Sequence, residues 1–118
     1  MNNKEAIIAF SQSEKVKSSL IWISQSVEML MGLPESDKKG AESIIKAMLD
    51  WIANEAMIAG QITGDKVWQE IVENIDLAKV MTNSGVVHEA VFHCTQALSK
   101  VTGIAQRSMS YLIEEGLL

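Results

Sequence analysis

One cysteine in 118 residues leaves no partner for an internal disulfide. Cys94 also brings no second thiol for a metal cluster, so the composition excludes a disulfide-stapled scaffold and points to a reducing cytoplasm. Basic residues are scarce as well, ten Lys and Arg against fifteen Asp and Glu, for a net charge of −5. An acidic surface gains no counterion-release energy on a polyanion, which opposes unspecific attraction to nucleic acid or anionic lipid. No stretch approaches the roughly 18 apolar residues that a membrane span requires. The amino-terminal apolar run is cut short by Ser11, Gln12 and Ser13, so neither a secretion signal nor a membrane partner is expected. A single proline, seven glycines and a hydrophobic fraction of 47% describe one compact helical domain over residues 1–118.

What the chain does have is helical periodicity between three breaks. Turn chemistry gathers at Gly32-Leu33-Pro34 with Glu35-Ser36-Asp37, at Gly60 to Gly64, and at Asn83-Ser84-Gly85, which predicts short loops near 32–36, 60–64 and 83–85. In the first segment, about 4–31, Ala9, Ser13, Val16, Leu20, Ile23, Val27 and Leu30 alternate spacings of four and three along one stripe. In the second, about 37–59, Ile45, Leu49, Ile52, Ala56 and Ala59 form a stripe flanked by Ile44, Met48, Trp51 and Ile58, so this helix is apolar over most of its circumference. The third, about 65–82, sets Trp68, Ile71, Val72, Ile75 and Ala78 against a polar face. The fourth, from about 86, aligns Val87, Val91, Cys94, Leu98, Val101, Ala105 and Leu112 opposite Glu89, His93, Gln96, Lys100 and Arg107. Short connections between amphipathic helices favour antiparallel neighbours, so the expected architecture is an all-α, up-down-up-down four-helix bundle.

At about 1.5 Å per residue the first and fourth helices reach roughly 40 Å and the third about 27 Å. Unequal lengths leave ends without cover: Ile21, Trp22, Met29 and Ile44 in one region, and Tyr111, Ile113, Leu117 and Leu118 in the other. Contiguous exposed apolar surface marks interfaces, which predicts a homo-oligomer, a dimer in the first instance.

Candidate chemistry is sparse. Glu89 and His93 have the i, i+4 spacing of a helical metal pair, but both fall on the polar stripe and read as a solvent-facing pair. His88 lies in the first turn of its helix and reads as a capping or surface residue. Cys94 faces the core with no base beside it and reads as a small hydrophobe. Glu70-x-x-Glu73-x-x-Asp76 resembles part of the acidic magnesium-binding signature of MazG-type nucleotide pyrophosphohydrolases. The resemblance covers half a motif, because neither Glu42 nor Glu55 has an acid three residues on. No phosphate loop, nucleophile elbow or zinc spacing occurs, and neither catalytic residues nor a cofactor are expected. The function expected is that of a non-enzymatic protein–protein interaction or self-associating module.

The stretch Thr95–Leu118 admits two readings. As one helix, its seam from Val91 to Leu112 runs straight through Gly103, at a cost of about 1 kcal/mol for a mid-helix glycine. As two helices with a turn at Thr102-Gly103, the run Thr102-Gly103-Ile104-Ala105, then Arg107-Ser108-Met109, Tyr111 and Glu115-Gly116-Leu117-Leu118 resembles the DNA-binding helices of MerR-type regulators. That resemblance implies a transcriptional regulator with amino-terminal dimerisation helices. Gln106, Arg107, Ser110 and Tyr111 would then meet phosphates and base edges, with Arg107 the main basic contact.

Overall fold

The computed structural model describes all residues from Met1 to Leu118. Four α-helices follow one another: α1 (Asn3–Met29), α2 (Glu35–Thr63), α3 (Val67–Asn83) and α4 (Val87–Glu114), with one 3₁₀ turn at Leu30–Gly32. Each helix packs on the helices before and after it, and α4 closes the ring against α1. The result is the antiparallel four-helix bundle that the periodicity predicts.

Local chemistry explains most of the boundaries. Asn2 opens α1 with a reciprocal cap: its side chain accepts from the Glu5 amide at 2.8 Å, and the Glu5 carboxylate accepts from the Asn2 amide at 3.3 Å. Pro34 holds Leu33 extended, ending the first helical run, and Glu35 and Asp37 then place negative charge at the positive end of α2. Gly64, at φ +71°, closes α2, and the Asp65 side chain accepts from the Val67 amide to begin α3. Gly85 and Gly116 terminate α3 and α4 in the same left-handed manner. In each case the following residue donates back five positions, Val86 to Met81 and Leu117 to Leu112.

Two expectations are corrected. The break foreseen from Gly60 begins only at Gly64, because Gly60 stays helical and serves packing instead. A β-carbon there would stand 3.1 Å from Cβ of the fully buried Trp68, so the missing side chain lets the first turn of α3 approach α2. The buried face of α4 is also broader than the seam foreseen. Val87, Val91 and Leu98 are only partly buried, whereas Ala90, Cys94, Ala97, Val101, Ile104, Ala105, Ser108 and Leu112 are fully so. The cause is that α4 lies between α1 and α3 and packs on both. The buried hydroxyls of Ser13, Thr82 and Ser108 are satisfied locally, donating to the carbonyls of Phe10, Ala78 and Ile104.

Polar ties fix the register between helices. Lys79 meets Asp50 at 2.7 Å and Lys46 meets Asn83 at 2.8 Å between α3 and α2, while Lys100 reaches Asn74 and Glu70 between α4 and α3. The molecule is 53 Å long, but the 17 residues of α3 span only about 26 Å. α3 lies beside α2 from Gly60 to Lys46, so the stretch of α2 from Glu35 to Ile45 runs on without it.

Candidate functional site

The most apolar opening lies between α1 and α2. Val16, Ile23 and Ile52 form its floor, Trp22, Met48 and Trp51 its walls, and Lys15, Ser19 and Glu55 its rim, around a groove of about 240 Å³. The floor residues belong to the bundle core. Met48 packs against that core, but the two indoles do not belong to it: Trp22 is 73% exposed and Trp51 67%. Both indoles stand in water beside a groove that they could fill or that a partner could fill against them.

The only charges on this rim neutralise one another. Gln12 Nε2 donates to the Glu55 carboxylate at 2.8 Å and to its backbone carbonyl at 3.1 Å, and Lys15 Nζ approaches the same carboxylate at 3.4 Å. The Gln12 hydrogen bond holds the Glu55 carboxyl below its ordinary range against the opposing effect of partial burial, and the Lys15 charge adds to it.

Trp51 was not among the interface residues expected, although the signal was in the sequence. Ile44, Met48, Trp51, Glu55, Ile58 and Ile62 follow at spacings of 4, 3, 4, 3 and 4, a second stripe beside the one that enters the core. Ile44, Trp51, Ile58 and Ile62 on it are exposed.

The expected interface residues separate into two patches. Ile21, Trp22, Met29 and Ile44 are exposed toward the end of the bundle that α3 does not reach. Ile113, Leu117 and Leu118 are exposed at the other end, and Tyr111, half-buried, donates its hydroxyl to Asn3 at 3.0 Å. Asn3 and Trp22 are nineteen residues apart on α1, about 28 Å, so no one small contact covers both patches.

The residues considered for DNA contact lie on an unbroken helix. Thr102 and Gly103 are helical, and the Thr102 hydroxyl donates to the Leu98 carbonyl at 2.8 Å, so the stretch follows the one-helix path. Gln106, Arg107 and Ser110 are exposed, and the Arg107 guanidinium pairs with Asp65 at 3.5 Å.

Elsewhere the titratable groups are dispersed, and nowhere do three His, Cys, Asp or Glu side chains converge. Glu70 is occupied by Lys100 at 3.7 Å. Cys94 is fully buried, and burial pushes its thiol up, opposed by a hydrogen bond with Ser24. His93 departs from the expected solvent-facing position: its ring is half-buried edge-on to Phe92 at 5.4 Å, and Nδ1 is shielded without a partner. The broader buried arc of α4 takes in part of this side chain, whereas Glu89 remains exposed.

Comparison with known proteins finds no matching family model, curated protein or solved structure.

Proposed function

We propose that this chain is a non-enzymatic protein–protein interaction module that associates with itself. The observation that carries the reading is the pair of solvent-exposed tryptophans on one groove. Covering a large apolar side chain is worth about 1.5–3 kcal/mol, so two exposed indoles, with Ile44 beside them, favour association. Aromatic residues of this kind anchor interfaces because they combine large area with few rotatable bonds. The groove offers one carboxylate already neutralised and no convergent polar groups, a composition that suits an apolar side chain better than a charged substrate.

Sedimentation equilibrium at tens of micromolar tests the proposal. The wild-type chain is expected to sediment as a dimer or larger species, and Trp22→Ser with Trp51→Ser to sediment as a monomer with unchanged helical circular dichroism. A wild-type chain that stays monomeric across that range would sink it.

A further inference from the structure

The outer stripe of α2 has a symmetry that specifies how two copies would meet. Ile44, Met48 and Trp51 are mirrored in position by Ile62, Ile58 and Glu55 about Ala53. Resting on the self-association proposed above, we infer that the dimer forms by antiparallel packing of α2 on α2 of a second copy, with the two-fold axis crossing the outer stripe between Trp51 and Glu55, at the level of Ala53, whose own side chain faces the core. Ile44 then meets Ile62 of the second copy, Met48 meets its Ile58, and Trp51 meets its Glu55.

Charge selects this arrangement over its rivals. In a parallel pair, equal levels face each other, which sets Glu55 directly against Glu55, whereas in the antiparallel pair the two carboxylates stand four residues, about 6 Å, apart along the axis. In the antiparallel pair centred on Ala53, each Lys15–Glu55 couple lies under an indole of the other copy. There the ring face attracts the ammonium and the indole N–H donates to the carboxylate. Moving the axis by half a heptad toward either end faces Glu55 with Ile44 or Ile58 and leaves two apolar residues of the stripe uncovered. Only the register about Ala53 uses all six positions and leaves the acid a polar partner.

Size is consistent with a second copy as the occupant. The two exposed indoles supply on the order of 300 Å², taking a whole indole as about 250 Å². With Ile44, Met48, Ile58, Ile62 and the rim, the face approaches the roughly 800 Å² per partner of a specific interface. Trp22 joins it from α1. Gln12 lies beside Glu55, so in the antiparallel pair Trp22, ten residues on, lies level with Ile45 and therefore opposite the Ile58–Ile62 end of the second copy. The net charge of −5 is borne elsewhere, since the face itself is neutral.

Cysteine cross-linking reads the register directly. Ile44→Cys and Ile62→Cys, both at exposed positions, are made separately and treated with a short bismaleimide matched to the roughly 8–10 Å between packed helix axes. The buried Cys94 of the wild type is the background control. The expected result is a cross-linked dimer when the two variants are mixed and little in either alone, because equivalent positions of the two copies stand about 27 Å apart in this register. Met48→Cys mixed with Ile58→Cys repeats the test nearer the axis, in case either end substitution weakens association. Cross-linking within Ile44→Cys alone overturns the antiparallel register. A chain that sediments as a dimer yet cross-links in neither mixture also overturns it while self-association stands, and a wild-type chain that remains monomeric overturns both.

Discussion

Gly60 and Gly103 are both mid-helix glycines, yet the structure gives them opposite meanings. At Gly103 an added β-carbon meets only the tip of Arg107, at 3.4 Å, a side chain that can move aside. Gly103→Ala is therefore expected to stabilise the chain by about 1 kcal/mol, the difference in helix propensity. At Gly60 the added carbon stands 3.1 Å from Cβ of Trp68, which is anchored to the backbone and fully buried. Crowding of that kind costs about 1–3 kcal/mol and offsets the propensity gain, so Gly60→Ala is expected to lower the urea midpoint while Gly103→Ala raises it. Equal shifts of the same sign for the two variants would contradict this packing. Neither outcome is legible from the residues alone. Gly60 with Gly64 reads as a loop signal, and only the approach of α3 reveals that Gly60 is a contact.

Between elements, α1 and α2 are joined at mid-length by one carboxylate rather than by apolar packing alone. Gln12 and Lys15 hold the Glu55 carboxyl below its ordinary value, so folding favours the deprotonated form. The resulting stability is fully present above the unfolded value and is lost as pH falls through the lower folded value. In urea melts between pH 6 and pH 3, the wild-type chain is expected to lose stability at the acid end more steeply than Glu55→Gln, which has no carboxyl to protonate. Identical acid limbs would show that the tie contributes nothing. Because the carboxylate is partly exposed, the effect is small. The stripes of the four helices were readable in the sequence because burial follows the 3.6-residue period. The centre of each buried arc was less so, since it depends on which neighbours flank the helix. The displaced face of α4 and the half-buried His93 both follow from α4 having α1 on one side and α3 on the other.

For the whole molecule, the apolar surface lies in two places: along the α1–α2 groove, where Trp51 and Ile58 are exposed level with α3, and at the end that α3 does not reach. The 17 residues of α3 stop beside α2 near Lys46, and beyond that level α1 and α2 continue without a fourth helix. No helix is long and apolar enough to cross a membrane, so the exposed apolar residues form no spanning segment. The distribution of charge works against nucleic acid as the occupant, since the chain carries −5 and Arg107 is already paired with Asp65. At about 50 mM salt, where unspecific affinity is strongest, the chain is expected to show no shift in a fluorescence-polarisation titration of random duplex DNA. Tight binding that disappears in Arg107→Ala would reverse that expectation.

The amino-acid sequence by itself determined the helix number, their approximate ends and the all-α bundle. Periodicity, caps and breakers act within a few residues of one another and need no tertiary partner to be read. The tertiary structure alone decided that α2 runs through Gly60, that α4 runs unbroken through Gly103, and that Trp22 and Trp51 share one groove. Those outcomes rest on contacts between distant segments and on which side of a helix its neighbours occupy. An apolar stripe looks the same in the sequence whether it is covered within the chain or left for a second one.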